Sequence, residues 1–142
     1  MYQFCYASQS TSSKSNLLDD LTNILAEARD FNHRYGVSGV LYFADGYFFQ
    51  CLEGEKNILE KLIQKLGKDP RHHQIKLFEM YKIDQPSFYD WEMKYISRRD
   101  SIHAFCKNLG FGSFSPLQFQ QLHVDALLNE LKTLKLSGVF EV

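Results

Sequence analysis

Two apolar runs flank the dipeptide Asp45-Gly46 and form the clearest pattern in the chain. Residues 37 to 54 read VSGVLYFADGYFFQCLEG, and Asp-Gly between apolar runs favours a tight hairpin turn with positive φ angles. We therefore predict antiparallel strands over Val37–Ala44 and Tyr47–Glu53. Because both runs are apolar almost throughout, we expect the hairpin near the middle of a sheet.

One polar residue interrupts the second of these strands. Side chains alternate across a strand, so Gln50 shares a face with Phe48 and Leu52, which is the face expected to be buried. A buried amide without hydrogen-bond partners costs about 1–3 kcal/mol. Gln50 therefore needs polar partners from elsewhere in the chain.

The segment before the hairpin predicts a strand over Tyr2–Ala7 and, after a serine-rich loop, a helix over Leu17–Tyr35. Apolar residues recur in this helix at the i, i+3, i+4, i+7 spacing of a core-facing stripe, at Leu21, Ile24, Leu25 and Ala28. Four residues further along the same stripe lies Asn32, so a second amide is expected on the inward face. Gly36 is suited to end the helix as its C′ residue.

After the hairpin, the pattern predicts a helix over Glu55–Lys68, a strand over Gln74–Lys82 and a strand over Trp91–Ile96. In the last strand, alternation would place three residues on one face: Trp91, Met93 and Tyr95. The order βαββαββ predicts a ferredoxin-like α+β fold, a mixed sheet with both helices on one face. The position of the fifth strand in the sheet stays open. Apolar helices over Asp100–Leu109 and Leu117–Leu136 are expected to cover the opposite face.

Composition excludes several classes of function. A chain of 142 residues, 44% of them hydrophobic, predicts one globular domain, and its net charge of −1 does not favour nucleic acid as a direct partner. The three cysteines lack CxxC spacing, which argues against a disulfide framework or a zinc site and fits a reducing, cytoplasmic environment. We expect neither a membrane span nor a signal peptide.

The periodicities also predict a polar slot between the helices and the sheet. It would bring together a phenol, two amides, a thioether and an indole, from Tyr6, Asn32, Gln50, Met93 and Trp91. Ile24 and Leu66 would form aliphatic walls. Such a slot suits a flat heteroaromatic ring with an amide-like edge, since each amide both donates and accepts hydrogen bonds. A buried phenol and a gap-filling methionine are also ordinary core features, so periodicity does not name a ligand. The pair His72-His73 lacks further ligands at metal-binding spacing, so no metal site is expected.

The motifs in order resemble those of the BLUF family of blue-light receptors that use FAD. The resemblance covers about Tyr2–Ile96 through CYAS, FNHRYGVSGVLYFADGYFFQCLEG, KDPRHHQI and FYDWEMKY. It implies that residues 1–97 form a flavin-binding photosensory domain and that residues 98–142 form a helical cap or output segment. A chain of 142 residues leaves no room for an appended cyclase or phosphodiesterase domain, so we expect a short-form receptor.

The resemblance implies a non-covalent FAD whose ring lies between the two helices. Asn32 would bond the N3 and O4 edge of the ring, and Gln50 would lie between Tyr6 and the N5/O4 edge. The remaining cofactor-binding residues that it implies are Ser8, Ile24, Lys65, Leu66, Asp69, Arg71 and His72. Phe31 departs from the polar residue often found before the asparagine. The chain lacks GxGxxG, as expected when FAD is not bound in the Rossmann manner.

The resemblance further implies a photoactive set made of Tyr6, Gln50, Met93 and Trp91. Tyr6 would donate an electron and a proton, after which Gln50 would change its hydrogen bonds by rotation or tautomerisation. Trp91 and Met93 would pass the change to the sheet and the tail. No substrate is turned over, so the chain is not expected to be an enzyme. The output would be altered binding to a protein such as a transcription regulator or signalling protein, and self-association stays open.

Two other readings stay open. The first is a flavin or small-molecule enzyme on the same scaffold, such as an acylphosphatase-like hydrolase, which would need an anion-binding loop with an arginine after the first strand. The loop SQSTSSKSN has no arginine. The second is a cofactor-free ferredoxin-like interaction module. A visible flavin spectrum would separate the receptor from the module.

Overall fold

The structure is a computed structural model in which residues 1–13, 15–88, 91–97 and 99–137 are described, with side chains up to residue 134. Tyr89 and Asp90 of the FYDWEMKY motif, and the residues after 137, lie outside the described part. The elements in chain order are β1 (Tyr2–Ser10), α1 (Leu17–Tyr35), β2 (Ser38–Ala44), β3 (Tyr47–Gly54), α2 (Lys56–Leu66), β4 (His72–Leu77), β5 (Tyr81–Lys82), β6 (Lys94–Ser97), α3 (Asp100–Asn108), a 3-10 helix (Pro116–Gln118) and α4 (Gln121–Ser137).

The hairpin has the turn that its sequence predicts. Asp45 and Gly46 have φ angles of 55° and 86°, the positive pair that a type I′ turn requires. Ala44 faces Tyr47 across the turn, and the pairing continues to Ser38 opposite Glu53. The Oδ2 of Asp45 also accepts a hydrogen bond from the backbone N–H of Phe114 at 3.0 Å, so the turn contacts the tail.

The sheet has the order β4-β1-β3-β2-β6. The short strand β5 also pairs with β1, at Tyr2 and Gln3, whereas β4 pairs with the later residues of β1. The hairpin strands are therefore interior strands, as predicted. The last strand, β6, joins the edge of β2 in parallel, and this settles the position that the sequence left open. All other strand pairs are antiparallel, so the sheet is mixed.

Two apolar cores lie on the two faces of this sheet. The helix-side core joins α1 and α2 to one face through Leu21, Ile24, Leu25, Ile58, Leu59 and Leu66. The tail-side core joins the other face to the C-terminal helices through Ile102, Cys106, Phe114, Phe119, Val124, Leu127 and Leu131. This arrangement confirms the ferredoxin-like α+β fold and the covering of the second face by the tail.

Several boundaries differ from the prediction. Gln74–Lys82 was expected to be one strand, but β4 ends at Leu77 and β5 pairs separately with β1. Gln74 has a φ of 52°, and the β1–β4 register shifts between Ala7 and Gln9, so a bulge replaces regular alternation here. In the tail, Pro116 begins a 3-10 turn, and α4 starts at Gln121 rather than Leu117.

The expected face of Trp91 is also wrong. The strand β6 begins at Lys94, so Trp91 precedes it and the alternation rule does not apply to it. Met93 and Tyr95 pack in the helix-side core, whereas Trp91 packs against the tail-side core. Trp91 stacks on Phe88 with ring centroids 5.4 Å apart, and its carbonyl accepts the N–H of Gly39 at 2.8 Å.

Candidate functional site

A cavity of about 260 Å³ lies between the helix layer and the sheet. Helices α1 and α2 form its aliphatic sides, and β1 and β3 supply its polar floor. The lining residues are Phe4, Tyr6, Ile24, Glu27, Ala28, Phe31, Asn32, Gln50, Leu52, Leu62, Lys65, Leu66, Asp69, Arg71 and His72. The cavity thus collects nine of the twelve residues predicted for the site, and it leaves out Ser8, Trp91 and Met93.

Tyr6 and Gln50 face each other directly across the β1–β3 pair. Residues opposite in an antiparallel pair have Cβ atoms about 4.5–5.5 Å apart, so their side chains are neighbours on the cavity floor. Both are buried, with exposed fractions of 4% and 7%. Burial raises the pKa of Tyr6 well above 10, and the carboxylate of Asp69 raises it further. The phenol therefore stays protonated over the physiological pH range.

Gln50 has a sulfur partner. Its Nε2 donates to Sδ of Met93 at 3.4 Å, inside the buried core. Met93 can lie this close to β3 because Gly39 has no side chain. A Cβ added at Gly39 would stand 2.4 Å from the carbonyl oxygen of Cys51 and 3.2 Å from the methyl carbon of Met93. Gly39 thus leaves room for the contact between the thioether and the amide.

The second amide, Asn32, lies in the last turn of α1 and is 1% exposed, as its spacing predicts. Its Nδ2 donates to the carbonyl oxygen of Glu92, and Nε of Arg29 donates to the carbonyl oxygen of Met93 at 3.0 Å. His33 Nδ1 lies 2.5 Å from Oε1 of Glu92. Helix α1 therefore holds the backbone of residues 92–93 while Asn32 also lines the cavity.

A guanidinium between two carboxylates lies at the edge of the cavity. Arg71 bonds Asp69 through Nε at 2.9 Å and through one terminal nitrogen at 2.7 Å, and the same terminal nitrogen lies 2.7 Å from Glu27. Burial raises the pKa of Asp69, but the hydrogen bonds from Arg71 outweigh this and lower the pKa overall. Hydrogen bonding to Asp69 raises the pKa of Arg71. The group joins α1 to the turn before β4.

His72 and Ser8 form a buried pair. Oγ of Ser8 lies 2.8 Å from Nδ1 of His72, which lines the cavity. Burial lowers the pKa of His72, although the carboxylate of Asp69 opposes the shift. Ser8 is fully buried without lining the cavity, so its visible role is to orient the imidazole.

Several lining residues were not predicted to belong to the site. Phe31 lines the cavity, and Nζ of Lys65 lies 4.7 Å from its ring centroid, so this aromatic residue packs under a cation. Glu27 reaches Arg71 from α1, and its position three residues after Ile24 was the available signal. Phe4, Leu52 and Leu62 complete the walls and follow the strand and helix patterns that mark core residues.

The described residues contain no group of three or more side chains that could hold a metal ion. The three cysteines are buried and unpaired. Among the described helices, none combines the length and apolar character needed to cross a membrane.

The chain is similar to several solved structures and to curated relatives. The structure superposes on BlsA in its photo-activated state with a TM-score of 0.87 and 48% identity, over 92% of this chain and 94% of that one. The ground state of BlsA gives a TM-score of 0.88 at the same identity, over 92% of this chain and 87% of that one. BlrB, described as a BLUF protein, shares the fold with a TM-score of 0.78 at 24% identity, over 93% and 95% of the two chains.

Curated relatives include the photoactivated adenylate cyclase subunit beta of Euglena longa, 34% identical over 83 residues, and that of Euglena gracilis, 33% identical over 97 residues. These alignments cover 58% and 68% of this chain but only 9% and 11% of the relatives, so the chain spans about a tenth of their length. The family model for sensors of blue-light using FAD matches residues 1–94. Because this family model matches more than half of the chain, including Tyr6 and Gln50 on the cavity floor, the chain belongs to the BLUF family.

Proposed function

We propose that this chain binds FAD without a covalent bond and reports blue light by changing the hydrogen bonds of Gln50. The observation that supports this most directly is the placement of Tyr6 opposite Gln50 on the floor of the cavity. A phenol that can donate an electron and an amide that can both donate and accept hydrogen bonds are thus neighbours in one cavity.

The chemistry of the lining residues fits a flavin ring. Asn32 and Gln50 can each donate to a carbonyl oxygen and accept from a ring N–H, while Ile24 and Leu66 supply apolar surface for the ring faces. A volume of about 260 Å³ is near the lower limit of typical ligand pockets, so the cavity suits a ring system rather than a whole dinucleotide. The diphosphate and adenine of FAD would therefore extend outside the cavity.

Charged residues would contact the polar edge and the ribityl chain. Lys65, Asp69 and Arg71 line the cavity. Lys65 and Arg71 would donate to the C2 carbonyl, and Asp69 would accept from ribityl hydroxyls. His72, oriented by Ser8, completes the wall. Arg71 already pairs with Glu27 and Asp69, so binding would rearrange this group rather than fill an open position.

The chemistry that bound FAD would supply is absorption of blue light and acceptance of one electron. Tyr6 is the donor in this proposal, and its raised pKa means that it begins as a neutral phenol. Tyr6 would pass its electron and its proton together to the bound FAD, because a phenol that loses an electron becomes strongly acidic, and Tyr6 would regain both before the cycle ends. Gln50, the neighbour of the phenol, would then settle in a different set of hydrogen bonds.

Met93 and Trp91 would carry the change across the sheet. Met93 touches Gln50 on the helix side, and Trp91 packs on the tail side two residues earlier. Residues 1–97 would thus act as the photosensory domain, and residues 98–142 as a cap whose position the sheet controls. A protein such as a transcription regulator or signalling protein would read the cap, and the buried thiols suit the reducing cytoplasm.

The test is a spectrum. The purified protein should be yellow, with about one flavin per chain. Blue light should shift its absorption to the red, and the original spectrum should return in the dark. Acid or heat should release intact FAD, because no covalent attachment is proposed. A colourless protein from flavin-replete cells, or flavin that remains on the denatured chain, would contradict the proposal.

A further inference from the structure

A carboxylate lies buried on the opposite sheet face from the cavity. Glu53, near the end of β3, is 0% exposed, whereas a charged residue is almost never fully buried unless it is paired. It stands three residues after Gln50 and therefore on the other face of the strand. The proposed photochemistry does not use it.

The partners of Glu53 connect three segments. Oε2 accepts from Nε2 of Gln3 at 2.9 Å and from the backbone N–H of Ser87 at 2.9 Å. Oε1 accepts from the backbone N–H of Phe88 at 2.8 Å. Gln3 belongs to β1, directly opposite Glu53, while Ser87 and Phe88 belong to the segment that leads toward Met93. Two of the three hydrogen bonds thus fix the backbone of that segment.

From Phe88 the contacts continue to the amide of Gln50. The ring of Phe88 is fully buried and stacks on Trp91, and the N–H of Trp91 donates to the carbonyl of Phe88 at 2.9 Å. The carbonyl of Trp91 bonds Gly39, and Sδ of Met93 bonds Gln50 on the far side of the sheet. The segment therefore contacts β3 at both ends, at Glu53 on one face and at Gln50 on the other.

We propose that Glu53 is a positioning residue for the switch. By holding the N–H groups of Ser87 and Phe88, it sets where Trp91 stacks and where Met93 meets the amide of Gln50. This rests on the proposed function for its effect on the photocycle, but the positioning itself is independent of flavin. An altered place for Met93 changes the stability of one orientation of Gln50, and therefore the rate at which the lit state reverts.

The experiment compares Glu53→Gln with Gln3→Leu. Glutamine has nearly the same shape, but an NH2 group replaces one of the two oxygens. Since Ser87 and Phe88 donate to different oxygens of Glu53, both loop contacts cannot be kept. Gln3→Leu removes the donor on β1 and leaves both loop contacts in place. NMR of protein labelled at the methyl carbons of its three methionines observes the methyl group of Met93. The resonance that disappears in Met93→Leu is assigned to Met93. Dark reversion is followed by flavin absorption in the same samples.

We expect Glu53→Gln to shift the Met93 methyl resonance and to change the reversion rate by about threefold to tenfold, the effect of one hydrogen bond of ordinary strength. Gln3→Leu should leave both quantities close to wild type. A Met93 resonance unchanged in Glu53→Gln overturns the proposal, and so does an equal effect of both variants. A shifted resonance with an unchanged reversion rate overturns the link to the switch.

Two controls keep the result clear. Circular dichroism shows whether Glu53→Gln folds, and if it does not, Phe88→Leu tests the next contact by removing the ring stacked on Trp91 while remaining apolar. The same outcomes then apply to it. The NMR measurement of the Met93 methyl group does not need flavin, so the two proposals can fail separately. A wild-type protein that binds no flavin contradicts the proposed function. A Met93 methyl resonance that does not shift in Glu53→Gln contradicts the role of Glu53.

Discussion

The amide of Gln50 donates its hydrogen bond to the thioether of Met93, with Nε2 and Sδ 3.4 Å apart. Sulfur is a weak acceptor compared with a carbonyl or carboxylate oxygen. Little free energy therefore holds the amide in this orientation. Because Tyr6 is the opposite residue on β1, a change at its phenol can shift the equilibrium between orientations of the Gln50 amide.

The first prediction separates flavin binding from photochemistry. Tyr6→Phe removes one hydroxyl and keeps the buried ring, so FAD affinity should change by less than about tenfold. The reversible red shift should be lost, because phenylalanine has neither the redox-active hydroxyl nor its proton. Gln50→Ala should also abolish the normal photocycle. Absorption spectra before and after blue light are the measurement.

The matched control for this prediction is Tyr2→Phe, the same substitution on the same strand. Tyr2 lies opposite Gly54, four residues from the switch, so the red shift should persist. A normal reversible shift in Tyr6→Phe would remove Tyr6 as the donor.

A second prediction concerns Asn32, which lines the cavity and also holds the carbonyl of Glu92. Asn32→Ala should weaken FAD binding by roughly 5- to 150-fold in Kd, the equivalent of about 1–3 kcal/mol for unsatisfied polar groups. Equilibrium titration of the flavin-free protein with FAD measures this. Asn23→Ala, an exposed position on the same helix, should bind FAD as wild type does. Equal affinity in the two variants would argue against Asn32 as a ligand.

The third prediction concerns transmission. Met93→Ala should retain flavin and the red shift but reduce the light response of the tail, because Met93 is the contact between Gln50 and the segment that carries Trp91. Hydrogen exchange of dark and illuminated samples is the measurement, and Met80→Ala, at a partly buried methionine, is the control. If β6 and the helices after Asp100 exchange equally in light and dark, with differences only around α1, the signal takes another route.

The fourth prediction concerns pH. The hydrogen bond that the His33 ring donates to the carboxylate of Glu92 raises the pKa of His33 above its ordinary value of 6.5, although both side chains are exposed. The stabilisation that the protonated imidazole gains from Glu92 is therefore present below about pH 6.5 and is lost as the pH rises through the higher pKa of the folded state. NMR titration of the His33 ring should show a raised midpoint that falls in Glu92→Gln and not in Glu60→Gln. Equal midpoints in both variants would show that Glu92 is not the cause.

Periodicity predicted the parts of the fold where one face is continuously buried. The helix over Leu17–Tyr35, the inward position of Asn32 and the buried face of Gln50 follow from spacing alone. These positions were predictable because a helix stripe or a strand face admits one solution when it must be covered.

The failures lie where local geometry breaks the period. The predicted strand over Gln74–Lys82 is interrupted at residues 78–80, between β4 and β5, and no turn residue such as glycine marks the place. Trp91 lies on the opposite side of the sheet from the predicted one, because it precedes β6 and belongs to a segment held by side chains from α1 and β3. The ion pair of Arg71 with Glu27 was not predicted, because Glu27 comes from a distant helix and such a pairing has no local signature in the sequence.

The turn residue Asp45 limits how freely the parts of this chain can be exchanged. Its backbone makes the hairpin and its carboxylate holds Phe114, whose ring packs edge-on against Tyr42 with centroids 4.9 Å apart. Glycine at this position would satisfy the turn equally well and would lose the tail contact. A chimaera that joins this tail to the sensor of another protein must therefore carry an acceptor side chain at the first turn position.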